Sequence, residues 1–421
     1  MFRSFRHRNF RLFFVGQFVS LTGSWMQQVA QAWLVYRLTR DPFQLGLVGF
    51  IGQSPAYLLG LYAGVLVDRS DRRRLVMATQ GLSLLQAACL AILTLSGRVE
   101  LWQVYALAAL QGAINCFDLP ARQVMIGELV PPEERPNAIA LNSTIVNGSR
   151  MVGPALAGAL VGLWGEGVCF AINAVSFLAV LASLSAMEGA RGAPRSKGGE
   201  SAVAEIRTGL DYALGHEPIR ILLLLLAVTS VAGMPFVVLM PIFADQVLGS
   251  GSMGLGLLMA ASGVGATLGS LALARRPVAD GLDQLVVRTM LGFGVTLVAF
   301  SFSTSMAWSC ALMGLLGLGV MMQFAGVNTL LQELADDRYR GRVMALYTMV
   351  FMGLSPIGSF AAGALARRIG APWTVALGAA VCIVVALQYV EQLPRLVRLA
   401  GLRARSGGLG LAPVSAAEPG S

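Results

Sequence analysis

The chain has 421 residues, of which 56% are hydrophobic and 13% charged; its mean hydropathy of +0.68 is far too apolar for a soluble domain. Its net charge of +9 sits in short arginine clusters between apolar stretches, which excludes the single basic face of a nucleic-acid binder. The five cysteines have neither CxxC spacing nor a histidine partner, so they support neither a disulfide framework nor a metal site.

Windows of about 20 apolar residues predict six helical spans in the first half, near 11–36, 45–67, 75–96, 101–121, 138–163 and 167–187. Helices are required because backbone groups in lipid must be satisfied within the segment. Span 1 carries a polar stripe at three- to four-residue spacing: Gln17, Ser20, Ser24, Gln27 or Gln28, and Gln31. The loop after span 2 reads "GVLVDRSDRRR" and packs six charges into the seven residues from Asp68 to Arg74. Span 4 has a second stripe, Gln111, Asn115, Asp118 and Arg122, and the loop beyond it holds Glu128. Span 5 has a third, Ser143, Asn147 and Arg150, inside "NGSRMVGPALAG", where Gly148, Gly153, Pro154 and Gly158 predict close packing and a bend. Polar groups are costly in lipid, so the three stripes predict the lining of a path through the bundle interior.

Residues 188–218 predict a cytoplasmic linker, rich in Gly, Ser and charge up to Ser201. A short amphipathic helix follows, with Val203, Ile206, Leu210 and Leu214 on a face suited to the membrane surface. Six further spans follow near 219–245, 253–274, 285–304, 306–330, 343–366 and 372–391, and residues 393–421 predict a disordered cytoplasmic tail. Most of the 18 Met residues lie in this second half, many near Phe236, Phe324 and Phe351. Soft side chains of this kind suit apolar ligands, so an amphipathic substrate is expected, polar toward the first half and apolar toward the second.

Orientation follows from arginine. With the N-terminus in the cytoplasm, the N-terminal tail and loops 2-3, 4-5, 8-9 and 10-11 carry fifteen basic residues against five in the opposite loops, namely Arg37, Arg40, Arg98, Arg367 and Arg368. Both termini are then cytoplasmic. Sliding the chain against itself by 205 residues superposes Glu128-Leu129 on Glu333-Leu334 and Arg135 on Arg340. The same shift brings Gly148, Gly153, Gly158 and Gly165 onto Gly353, Gly358, Gly363 and Gly370. The two halves, 1–187 and 219–392, therefore read as copies in the same orientation, an arrangement that transporters use to rock around a midplane site. No P-loop and no Ser/His/Asp constellation is present, so no enzyme activity is expected.

Two six-span halves, a central linker and the loop 2-3 charge box together resemble the major facilitator superfamily over essentially residues 5–392. Its signature G-x-x-x-D-R-x-G-R-R-K/R is matched by Gly64, Asp68, Arg69, Arg72, Arg73 and Arg74, with Asp71 replacing the second Gly. The runs "LTGSWMQQVAQAWLVYRLT" and "CFDLPARQ" are similar to the bacterial exporter branch that holds the enterobactin exporter and drug-efflux proteins. The resemblance implies an all-α polytopic membrane protein with twelve transmembrane helices in the bacterial inner membrane. It further implies that Asp68 faces the N-terminus of span 11 and that the arginines pair with acids at the end of span 4, here Asp118 and Glu128, as a conformational latch of the outward-facing state. "SRMVGPALAG" looks like the superfamily's antiporter signature with Ser149 and Ala157 substituted, which implies export. The expected protein is a monomeric secondary transporter that exports a small amphipathic, drug- or siderophore-like molecule on a proton gradient, without a cofactor; import or facilitation of a small metabolite is the alternative. The span-4 signature R-x-x-Q-G keeps Gln111 and Gly112 but has Ala108 in place of Arg. No acid lies deep in a span, and both histidines lie outside them, so no carrier for the coupling proton is evident. Arg150 stands open as substrate counter-ion, coupling residue or partner of Asp118.

Overall fold

The computed structural model describes residues 3–187, 202–275 and 281–397, among which there is no strand. The tail predicted from 393 begins as helix over 392–397, with Leu393 buried, and its remainder lies outside the described residues, as does the linker up to 201. The first half comprises α1 (Arg8–Thr39), α2 (Pro42–Gln53) with α3 (Pro55–Arg69), α4 (Arg72–Leu95), α5 (Leu101–Glu128), α6 (Arg135–Trp164) and α7 (Glu166–Ser185). The linker helix is α8 (Ala202–Gly215). The second half begins with α9 (Glu217–Val228), which continues through α10 (Met240–Ile242) to Val247. It is completed by α11 (Gly251–Ala274), α12 (Leu282–Ser301), α13 (Met306–Leu334), α14 (Arg340–Ile369) and α15 (Ala371–Tyr389).

All twelve predicted spans are built. Among the described residues, eight helices are long and apolar enough to cross a membrane on length and composition alone. The other four are spans 1, 2, 4 and 5. Three of these hold the polar stripes, and span 2 is divided at Ser54, where Pro55 brings no backbone N–H to the ladder. Span 7 is irregular for the same reason: Pro235 and Pro241 lie among π-helical turns at Thr229–Gly233 and Phe243–Val247.

The internal repeat is visible in atomic detail. α6 and α14 are each 30 residues long. Arg135 Nε donates to the Gly127 carbonyl at 3.0 Å, and its counterpart Arg340 Nε donates to the Gln332 carbonyl at the same distance. Both helices end at a glycine in a positive-φ conformation that side chains avoid, Gly165 (φ 83) and Gly370 (φ 84).

The halves meet along two seams, α6 against α11 and α2 against α14. Each closes backbone to backbone. A Cβ added at Gly158 would stand 2.7 Å from Gly256 Cα, and one added at Gly46 would stand 3.0 Å from Gly363 Cα. Phe43 and Phe50 pack edge-on or tilted against Phe360 beside the second contact. Exposed tryptophans ring this closed end: Trp102 and Trp308 near the starts of α5 and α13, Trp164 at the end of α6, and Trp373 near the start of α15, the pattern of an interfacial aromatic belt. Toward the opposite end the second seam reaches Tyr57 beside Gly353; beyond it, no described residue lies within 4 Å of a Cβ added at Gly60, Gly64 or Gly341. The bundle is therefore closed at one end and open at the end that bears the charge box.

Because overpacking a tight contact costs about 1–3 kcal/mol, Gly158→Leu should shift the population away from this closed arrangement by roughly five- to a hundred-fold. In a background lacking the native cysteines, a cysteine at the buried Ala157 should then become reactive to an impermeant maleimide; unchanged labelling would contradict the seam assignment.

Candidate functional site

The interior of the bundle follows from which faces are already taken. α1 meets α6 through Phe18, Thr22 and Trp25, and meets α7 and α4 through Gly16, Gly23 and Gln27, while Val15 and Val19 point outward. The remaining face, with Ser24, Gln28 and Gln31, looks into the space between the halves. α6 is held between α1, where Gly153 lies against the Thr22 carbonyl, and α11, where Gly263 lies against the Arg150 carbonyl. Leu156 and Leu163 face outward, which leaves Ser143, Asn147 and Arg150 on the inner side. Gln111 and Asn115 of α5 complete the N-half wall, with Gln111 Nε2 donating to Ser83 Oγ at 3.2 Å and to Asn115 Oδ1 at 3.0 Å.

The span-1 stripe divides between two roles. Gln27 is buried, donating to Gln86 at 2.9 Å and accepting from Asn173 at 2.8 Å, whereas Gln28 is exposed and has no polar partner among the described residues. Ser20 donates to Gln80 at 3.3 Å. Gln17 is 1% exposed with both amide atoms unpaired, a position that calls for water or a ligand atom. On the C-half side Phe324, Phe351 and Tyr347 cluster, the first pair edge-to-face at 4.6 Å and the second stacked at 6.1 Å.

The charge box sits at the open end. Asp71 caps α4 through its carboxylate on the Arg74 amide at 3.2 Å. Arg72 is buried, with Nη1 3.6 Å from Glu128 Oε1; Arg73 donates to the Ser185 carbonyl at 3.0 Å; Arg69 is exposed. No described residue lies within 4 Å of a Cβ added at Gly64, and the Asp68 side chain lies outside the described residues. Asp118 does not join the box arginines as anticipated. It pairs with Arg122 at 2.7 Å, one turn along α5, and accepts from Thr79 at 2.7 Å and Gln80 at 2.9 Å. Nor does Arg150 pair with Asp118; its guanidinium lies over the Trp25 ring at 5.7 Å.

A set of residues not anticipated from sequence zips the closed end. Tyr36 Oη and Arg40 Nη1 of the first half each donate to Asp245 Oδ2 of the second at 2.7 Å. Arg367 lies 3.8 Å from Asp41 in the reverse sense. Arg40 reaches its place by ending α1 in the left-handed conformation, φ 52. The signal in the sequence was slight: one acid near a span end and an Arg-Asp pair in a short loop.

Two six-helix bundles meeting around a polar interior, sealed at one end by glycine contacts and ion pairs, define a secondary transporter of the major facilitator type. The chain belongs to the transmembrane secretion effector family of that superfamily, whose model matches residues 1–402. It is 24% identical to the staphyloferrin A transporter of Staphylococcus aureus over 92% of this chain and 97% of that one. It is 27% identical to the multidrug efflux pump Tap of Mycolicibacterium fortuitum over 84% and 88% of the two chains, and 25% identical to the enterobactin exporter EntS of Citrobacter koseri over 85% of each. A peptide transporter crystallised with sulfate superposes with a TM-score of 0.75 over 93% of this chain and 96% of that one; at 13% identity the likeness speaks for the fold alone. The family and these relatives are transporters and not enzymes, and the protein is a multi-pass membrane protein.

The two acid pairs should differ in weight. Asp118 is 2% exposed, so Asp118→Asn strands the Arg122 cation against a neutral partner and should cost about 3–5 kcal/mol. The Glu128 carboxylate is about one-third exposed and lies 3.6 Å from the buried Arg72, a looser contact than the 2.7 Å Asp118–Arg122 pair, so Glu128→Gln should cost less than Asp118→Asn. Thermal unfolding of the two purified variants in detergent checks the order.

Proposed function

We propose that the chain exports a small amphipathic molecule across the bacterial cytoplasmic membrane by alternating access, driven by proton antiport. The supporting observation is the polar lining of Ser24, Gln28, Gln31, Gln111, Asn115, Ser143, Asn147 and Arg150, which opens toward the end rich in arginine and is shut at the other. By the charge bias of the loops the arginine-rich end is cytoplasmic, with both termini on that side, so the arrangement is inward-open. Relatives whose names denote siderophore and drug export favour an outward direction and this substrate type. The Phe324, Tyr347 and Phe351 cluster suits the apolar part of such a molecule.

In this reading the cycle exchanges one set of contacts for another. Opening outward breaks the Tyr36–Asp245, Arg40–Asp245 and Asp41–Arg367 contacts. Closing the cytoplasmic end brings α3 toward α14, where the Asp68 carboxylate would meet the positive N-terminal end of α14, an interaction typically worth about 0.3–1 kcal/mol. Gly148, Gly153, Pro154 and Gly158 let α6 slide and bend between α1 and α11.

Energised inside-out vesicles containing the protein, challenged with cationic drugs and catecholate siderophores, should lose part of their pH gradient on addition of a transported compound. Asp68→Asn should insert normally and abolish that response. Full response in the variant would remove the latch, and no response to any compound from correctly inserted protein would remove proton-coupled export.

A further inference from the structure

Several charges on the membrane helices are compensated. Asp118 is matched by Arg122, and Asp245 by Arg40. Arg150 is different: it lies halfway along the 30-residue α6, on the inner face, and makes no ion pair or hydrogen bond with any described residue. A guanidinium keeps its proton under all ordinary conditions, so Arg150 cannot itself carry a coupling proton. An unpaired cation at membrane depth is costly to retain, and it normally faces a partner or a pathway. Resting on the export reading above, we propose that Arg150 is the seat for a carboxylate on the transported molecule, so that the substrates are amphipathic organic anions.

The surroundings suit that task. The Trp25 ring lies beside the guanidinium, 5.7 Å from ring centroid to Cζ, a cation–π contact that uses none of the N–H donors a carboxylate would take. Gln28 stands one turn along α1 from Trp25 on the inner side, exposed and without a polar partner, and supplies an amide donor beside the same space. The two described acids nearest this depth on the first half's helices offer no competition: Asp118 is engaged by two hydrogen-bond donors and the Arg122 cation, and Glu128 sits at the far end of α5 with Arg72. The seat is also coupled to the moving seam. The backbone at Arg150 and Met151 lies directly against α11, with the Arg150 carbonyl 2.9 Å and Met151 Cα 2.8 Å from a Cβ added at Gly263. Any rocking of α6 on α11 therefore carries the guanidinium with it, and neutralising its charge changes what must be desolvated when the cavity closes.

The test compares three probes that share the dansylamide and a short spacer and differ in the polar end: dansylglycine, dansylglycinamide and dansylethylenediamine. Each is titrated by fluorescence against the full-length protein in a neutral detergent. The carboxylate should bind at least tenfold tighter than the amide or the amine. Arg150→Gln should erase that preference while leaving the amide's affinity unchanged, and Arg150→Lys should keep the preference with weaker binding. Trp25→Leu should weaken the carboxylate several-fold, and it serves as a second variant if Arg150→Gln is lost on size-exclusion chromatography. Equal binding of the three probes, no binding of dansylglycine, or a carboxylate preference that survives Arg150→Gln would each overturn the proposal. Displacement of dansylglycine by added phosphatidylglycerol would assign the seat to a lipid phosphate and overturn it as well. Uptake into inside-out vesicles separates the two readings. Selective binding without transport of any probe defeats export but leaves the seat standing, whereas transport of the amine with Arg150→Gln unaffected defeats the seat alone.

Discussion

Contact between glycine backbones across the two seams is the constraint on which the rest of the structure depends. Apolar side chains gain nothing by leaving lipid for one another, so helices in a bilayer associate through close van der Waals approach. Gly158 against Gly256 and Gly46 against Gly363 bring the halves together where any side chain would hold them apart. Once those contacts are made, Tyr36 and Arg40 fall within hydrogen-bonding distance of Asp245, and Arg367 comes near Asp41. The opening at the other end is the geometric complement: two rigid bundles touching tightly at one end must part at the other.

The polar residues inside the bundle perform two tasks that a spacing pattern cannot separate. Gln27, Gln86 and Asn173 satisfy one another and tie α1 to α4 and α7, and Thr79, Gln80 and Arg122 do the same for the Asp118 carboxylate. Such contacts hold a half together as a rigid body. Gln28, one residue from Gln27, is turned by about 100° on the helix and stands in the open space instead. Rigid halves and an unpaired lining are complementary requirements, since a half that deformed under load would not transmit movement of α6 to the closed end.

Much of the fold was legible in the chain. Twelve apolar windows gave twelve helical spans, because length and hydropathy govern insertion whatever the later packing, and the 205-residue repeat reappeared as equal helices, equal arginine contacts and equal terminal glycines. The interior faces of α1, α5 and α6 followed from the cost of polar groups in lipid. Partners were less legible. Asp118 was expected beside the box arginines and lies with Arg122, because an i,i+4 neighbour on its own helix is closer than anything a loop can deliver.

The sequence by itself determined the number of spans, the duplication and the positions of the small residues, since each depends on local composition or on transfer between water and lipid. Only the tertiary structure decided which end is closed, that Tyr36, Arg40 and Asp245 meet there, and that Arg150 lies over Trp25 with no ion pair among the described residues. Those facts depend on contacts between residues far apart in the chain, 209 positions for Tyr36 and Asp245. Two half-bundles of fixed internal packing can be tilted either way without changing any residue, so the state adopted is a property of the assembly of helices and of no segment alone.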